Sequence, residues 1–493
     1  MRTYGNWKRP TSPGLLGLGM VATFGLLIAL VFMVVLMTIT NLLVGLAFGL
    51  AIAVVTVVLS LRDRHGLSIG NRLAQRFSFA YTRASRANLY RSGPLGRTPW
   101  GTHQLPGVAA TTQLSEHEDS YGRPFALIHA PKVKTFTVVL ASDPDGGALV
   151  DQDTVDFRVA AWGDWLAGLA DEPGLVGAAV TVESAPETGQ RLAQAVQGRM
   201  DSNAPTYSRA VLEEVVQDYP SGSSTVRAYV SLTFQSDAMV LGRTLNPEEM
   251  GRELATRLPG LTSSLGLTGA GACLPATAAE LCEVVQVAYN PVVARYFDEA
   301  RAEGEVPDIS WSEVGPSAHE SAWGHYRHDS AVSVTWSMTG APRGVVQSSI
   351  LRSLLSPHRD IARKRVTMLY QPIDAARAAR MVERDESNSV FAATAARRTT
   401  HRQAHAVQSA RATAAEEASG AGLVGFGMLV TATVTEPEKL PAAKAAVEHL
   451  GGAARLQLRP VYGSQHAAFA FALPLGLVPE KHSNVPTVVR EGV

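Results

Sequence analysis

Residues 25–60 read GLLIALVFMVVLMTITNLLVGLAFGLAIAVVTVVLS, and no charged side chain occurs anywhere from Thr11 to Leu61. A bilayer core of about 30 Å is crossed by about 20 apolar helical residues. The apolar block from Gly14 to Leu61 therefore holds two spans and not three. Its one polar cluster, Thr38-Ile39-Thr40-Asn41, divides it into expected spans over 14–37 and 42–61. A signal peptide has an apolar region of about 7–15 residues ahead of a small-residue cleavage site. This block continues well past that length, so a membrane hairpin is the expectation. Gly45 and Gly49, four apart, offer a small-residue face on which two helices can close.

The flanks set the expected orientation. Arg2, Lys8 and Arg9 precede the block, and Arg62, Arg64, Arg72, Arg76, Arg83, Arg86 and Arg91 follow it, while the turn between spans is uncharged. Basic flanks stay on the cytoplasmic side. Both termini are thus expected in the cytoplasm of a multi-pass protein of the cell membrane. The basic stretch from Arg62 to Arg97 suits either contact with anionic headgroups or a solvated helix continuing from the second span.

Beyond the block the composition is even. Lys plus Arg and Asp plus Glu both number 44, which argues against a global nucleic-acid-binding field. Cys273 and Cys282 are the only cysteines, too few for a disulfide framework and in keeping with a reducing compartment.

Residues 62–122 read as a basic juxtamembrane segment and a Gly/Pro-rich linker. Strands are expected over 125–130, 136–142, 176–184, 226–235, 331–340, 425–436, 455–460 and 466–474 from β-branched, aromatic and alternating patterns. Helices are expected over 157–173, 187–200, 206–218, 246–266, 275–288, 345–357, 388–419 and 437–452. Asn246 is placed to cap its helix, with Pro247 and two acids in the first turn. The uneven alternation favours an α+β cytoplasmic region of two or more subdomains, divided as 123–345 and 346–474 with a tail over 475–493.

The chemistry-bearing motifs are few. A P-loop needs its Gly-Lys pair, and no Gly-Lys dipeptide occurs. A GxSxG nucleophile elbow is not expected either, and hydrolase chemistry of that kind has no support. His319, His325 and His328 with Glu320 are the best metal-like group, but their spacing fits no ligand pattern. Glu116, His117, Glu118 and Asp119 read as a solvated loop, and the two cysteines as buried thiols. Arg397, Arg398, Arg402 and Arg411 stud the long helix. Glu416 and Glu417 follow them and no aromatic residues interleave, so a solvated face is expected rather than a nucleic-acid platform. No catalytic, cofactor-binding or metal residue is assigned.

The carboxy-terminal third carries a resemblance. The run SPHRDIARKRVTMLYQPIDAARAARMVERD, the Ala-rich helix after it, and EEASGAGLVGFGMLVTATVTEPEKLPAAKAAVEHLGGAARLQLRPVYGSQHAAFAFALPLG resemble the pre-motor region of conjugative type IV secretion ATPases. Ala470, Phe471 and Leu473-Pro474 stand where that family has its "AF…LP" pattern. The hairpin resembles the small two-span membrane subunit that accompanies such ATPases. Together these resemble actinobacterial conjugative-element membrane proteins with a motorless pre-motor domain. The resemblance implies a non-enzymatic scaffold of a DNA-transfer apparatus, oligomeric and docking a separate motor ATPase and other membrane subunits. WGDWLAGLADEPGLVGAAVTVES is also similar to a segment of type VII secretion core membrane subunits, the alternative that the carboxy-terminal pattern disfavours. A membrane-anchored metal-dependent enzyme or sensor using the His319–His328 group is the alternative of another class.

Overall fold

The computed structural model describes residues 4–5, 20–61, 63, 65–94, 96–146, 150–186, 196, 198–201, 203–218, 224–236, 244–305, 307–342, 344–394, 401–418, 420 and 422–482. Two apolar helices come first, α1 (Met20–Ile39) and α2 (Leu42–Ser60), followed by α3 (Ile69–Ala84). Gly45 and Gly49 do face α1. A Cβ on Gly45 would lie 3.2 Å from Met37 Cα, and one on Gly49 would lie 2.1 Å from Met33 Sδ. The Phe32 and Phe48 ring centroids are 5.7 Å apart. Among the described residues only α2 is both long and apolar enough to cross a membrane; the apolar helical stretch Gly25–Ile39 is shorter. The start of the expected first span, 14–19, lies outside the described residues.

The remainder is a mixed α+β body built on one large antiparallel sheet. Its strands are β1 (Leu89–Arg91), β2 (Gln113–Glu118), β3 (Pro124–Ala130), β4 (Thr135–Asp143), β5 (Leu175–Pro186), β6 (Ser224–Gln235), β7 (Ala272–Pro275), β8 (Ala318–Ser321), β9 (Tyr326–His328), β10 (Ala331–Gly340), β11 (Arg363–Pro372), β12 (Val424–Val434) and β13 (Gln457–Pro460). Their order is β1-β8-β9-β10-β12-β11-β5-β6-β4-β3-β2, with β13 also on β10 and β7 on β4. The division expected near residue 345 does not separate one sheet from another, because β11 pairs β5 from Tyr370↔Ala178 to Lys364↔Ser184.

The helices of this region are α4 (Gln152–Gly168), α5 (Thr206–Asp218), α6 (Pro247–Leu265), α7 (Ala278–Tyr289), α8 (Ala294–Ala302), α9 (Arg352–Leu355), α10 (Ala375–Thr394), α11 (His401–Ala418), α12 (Leu440–Ala453), α13 (Gln465–Phe471) and α14 (Pro479–His482). Of these, α4, α6, α7, α12 and α13 supply the core packing against the sheet. Strand residues two apart share a face. Phe136, Val138 and Leu140 thus pack with Trp165 of α4 and with Met250, Leu254 and Leu258 of α6. Val139, Ala126 and Ile128 belong to another core with Leu281, Val285 and Tyr289 of α7 and Phe469 of α13. A third core joins Val334, Trp336, Val366 and Val430 to Val447 and Leu450 of α12. Asn246 caps α6 as expected, accepting from Glu249 N at 2.8 Å.

Three expected elements differ. Residues 466–474 form helix α13 and a strap instead of a strand. The sheet face beneath them is a row of buried hydroxyls, paired as Thr335–Thr431 at 2.9 Å, Thr181–Thr367 at 3.1 Å and Thr137–Thr233 at 3.0 Å. The strap satisfies this row. Gln465 accepts from Thr335 N at 2.8 Å, Thr367 donates to Ala472 O at 2.8 Å, and Thr233 donates to Gly476 O at 2.7 Å. Gly476 is left-handed (φ +60°), and a Cβ there would sit 2.3 Å from Thr137 Cγ2, so only glycine fits.

The helix expected over 388–419 is two helices, α10 and α11, and the residues between them (395–400) lie outside the described set. Residues 113–118, expected within a linker and a solvated loop, form strand β2. Its polar side chains suit an edge strand that, among the described residues, pairs with β3 alone. Most of the helix expected over 187–200 lies outside the described residues.

Candidate functional site

Strands β11 and β12 are neighbours in chain and sheet, a relationship that a short turn would normally close. Here they are joined through α10 and α11. The two ends of the insertion meet: Pro372 registers with Val424, and Ile373 N donates to Leu423 O at 3.1 Å. Asp374 starts α10 by accepting from Arg377 N at 2.9 Å. The helices pack chiefly on each other, burying Ala378, Val382 and Ala410. Arg411 Nε lies 3.6 Å from Glu386 Oε1. At 1.5 Å per residue α10 is about 30 Å long, and Phe391 near its far end is 73% exposed. The result is an arm rooted on two paired strand ends, with an exposed aromatic side chain in the last turns of α10.

The histidine group folds inward. His319 in β8 meets the Tyr326 hydroxyl through Nδ1 at 3.0 Å. His328 in β9 is fully buried, with Nδ1 2.5 Å from Tyr289 O and Nε2 2.8 Å from Ser333 Oγ. Burial pushes His328 down to about 4; the bond to the Tyr289 carbonyl opposes this and Arg365 adds to it. Burial, with His466 and His328 nearby, pushes His319 down to about 3. Both are neutral structural residues at pH 7. His325 lies in the turn between β8 and β9, and its pKa is lowered, first by burial. Among the described residues no group of three or more His, Cys, Asp or Glu is arranged to hold a metal ion.

A buried ion cluster lies where reading the sequence saw none. Glu183 of β5 takes Arg365 Nε at 2.9 Å and Arg365 Nη2 at 2.5 Å, and Arg363 pairs with its other oxygen. Burial works to raise the Glu183 carboxyl, but the two guanidiniums overcome it and hold it at about 2. Arg365 also lies over the Phe469 ring, 5.6 Å from its centroid. The sequence signal was the Arg363-Lys364-Arg365 run ahead of VTMLY, but the carboxylate partner lies far away in the chain.

The remaining candidates resolve as structure. Glu116 accepts from Ala278 N at 2.8 Å and so helps start α7. His117 meets Ser115 Oγ at 3.0 Å, Glu118 ends β2, and Asp119 is buried, accepting from Tyr121 N, Arg123 N and Arg123 Nε. Glu320 is in β8. Cys273 and Cys282 are free and buried, and burial pushes the Cys282 thiol up to about 12. Contrary to the expectation that no such motif occurs, Gly66-Leu67-Ser68-Ile69-Gly70 has the GxSxG form of a nucleophile elbow. Among the described residues no strand leads into it, and Ser68 caps α3 by accepting from Asn71 N at 3.2 Å. Arg397, Arg398 and the Arg402 side chain lie outside the described residues; Arg411, Glu416 and Glu417 sit on α11.

Comparison with known proteins adds one match. A family model described as a domain of unknown function (DUF8461) matches residues 11–71, the hairpin and the first residues of α3. No curated protein matches the chain.

Proposed function

We propose that this chain is a non-enzymatic scaffold subunit of a conjugative, type IV-like DNA-transfer apparatus. In this reading α1 and α2 cross the cell membrane as a hairpin with both termini in the cytoplasm. The sheet body stands beneath them, and the α10–α11 arm docks a separate motor ATPase. The observation that carries the reading is the arm: two helices set on the paired ends of the interior strands β11 and β12, packed on each other and exposing Phe391. The buried histidines and the Glu183 cluster support a structural role, since His319, His328 and the Glu183 carboxylate each bond to neighbours inside the body.

The test is co-expression with candidate motors. A conjugative type IV ATPase should co-purify with the full chain from detergent-solubilised membranes. Co-purification of a type VII secretion ATPase in its place would move the chain to the alternative system. Binding of neither would remove the docking reading.

A further inference from the structure

Helix α3 begins against the end of α2. Ile69 N donates to Leu61 O at 3.1 Å, and a Cβ on Gly70 would lie 3.4 Å from Leu59 O. If α2 spans the bilayer, α3 starts at its surface. One side of α3 faces the body, where Phe79 meets Trp323 edge-on with centroids 5.4 Å apart and Gln75 Oε1 is 3.5 Å from Arg459 Nη2. The other side exposes Leu73, Phe77 and Tyr81, four residues apart, at 41%, 74% and 78%. An apolar stripe beside basic residues is how a helix lies in a headgroup interface.

Between α3, β13 and α12 lies a cavity of about 720 Å³, walled by Arg72, Arg76, Arg459, Trp323, Tyr462 and Glu448 among others. Arg72 is tied to Asp63. Arg459 stacks on Tyr462, 5.3 Å from its ring centroid. Among the described residues, neither Arg76 nor Arg459 has a carboxylate partner. Burial and the neighbouring Arg72 both act against the charge on Arg459, with Tyr462 opposing them. An anion held in this cavity against Arg459 would offset the like charge of Arg72.

We propose that this cavity holds the phosphate headgroup of an anionic phospholipid, gripped by Arg76 and Arg459, while Leu73, Phe77 and Tyr81 enter the acyl boundary. The proposal rests on the reading of α2 as a membrane span. It makes the first cytoplasmic helix a lipid-reading collar that fixes the angle of the body against the membrane.

The test uses the full chain purified in detergent and titrated with phosphatidylglycerol or phosphatidylcholine while its melting temperature is followed. Phosphatidylglycerol should raise the melting temperature at concentrations on the order of tenfold lower than phosphatidylcholine. Arg76→Gln/Arg459→Gln should lose that preference and Arg76→Lys/Arg459→Lys should keep it. Phe77→Ser/Tyr81→Ser should weaken the response to both lipids. Equal responses to the two headgroups, or a preference retained in Arg76→Gln/Arg459→Gln, would overturn the proposal. So would a full shift produced by inorganic phosphate alone. Alkaline carbonate extraction of the membranes reads the span separately. Release of the chain would remove the spanning reading, while headgroup preference is scored on the same purified protein.

Discussion

Arg365 and Glu183 stand directly opposite each other in the β5–β11 register, with Arg365 Nε 2.9 Å from Glu183 Oε2. The pair lies inside the body, Arg365 at 4% and Glu183 at 9% exposure. Removing one partner leaves an uncompensated buried charge, which costs roughly 3–5 kcal/mol. Glu183→Gln should therefore lower the melting temperature of the body sharply, whereas Glu183→Leu/Arg363→Leu/Arg365→Leu should be milder than the single change. A single variant that melts like the parent would show that the cluster contributes nothing.

The same carboxyl sets an acid limit. Its folded pKa of about 2 lies below its ordinary value of 4.5. The stability it contributes is complete above 4.5 and is lost as pH falls from there towards 2. In melting curves recorded against pH, Glu183→Gln should flatten the response within that window.

The buried histidines act at higher pH. His328 is held at about 4 against an ordinary 6.5, so below 6.5 the unfolded chain takes up a proton that the folded chain refuses. Stability should fall as pH drops from 6.5 towards 4. His328→Gln should reduce that slope even where it lowers the melting temperature at pH 7. An unchanged slope would show that His328 already carries a proton in the fold.

Some of this architecture was legible in the sequence and some was not, for identifiable reasons. The glycine face at Gly45 and Gly49 and the Asn246 cap are local patterns that appear as read. Of the two spans expected in the apolar block, only α2 is, among the described residues, long and apolar enough to cross a membrane. Strand β11 was hidden because Arg363-Lys364-Arg365 looks solvated until Glu183 is brought opposite by the sheet. Strand β2 was hidden because an edge strand tolerates the polar run Gln113–Glu118. The run HAAFAFALP alternates like a strand, yet it packs over a row of threonine hydroxyls that no local pattern reveals. The hydroxyl row and the closure of the arm at Ile373 and Leu423 are both tertiary facts.

The hairpin contact is testable in membranes. A side chain at Gly45 would press on the Met37 backbone, so Gly45→Leu should push the helices away from each other. With Phe32→Cys and Phe48→Cys introduced, a short bismaleimide should join α1 to α2 in the parent, and several-fold less product should form with Gly45→Leu. Equal product would show that the close approach of the glycines is not needed.

Orientation has its own reporter. A periplasm-active enzyme inserted at Asn41 should be active and one fused after Val493 silent. An active fusion after Val493 would put the sheet body outside and end every claim about a cytoplasmic motor.

The central claim is that the α10–α11 arm docks the motor, and the fold permits its clean removal. Because Ile373 N already meets Leu423 O at 3.1 Å, residues 374–422 can be replaced by an Asn-Gly turn that closes β11 onto β12. The measurement is co-purification of the conjugative ATPase with the armless chain, alongside its membrane retention and melting temperature. The account predicts an armless chain that stays in the membrane and melts close to the parent, yet retains no ATPase. Undiminished ATPase on that well-folded armless chain would contradict it.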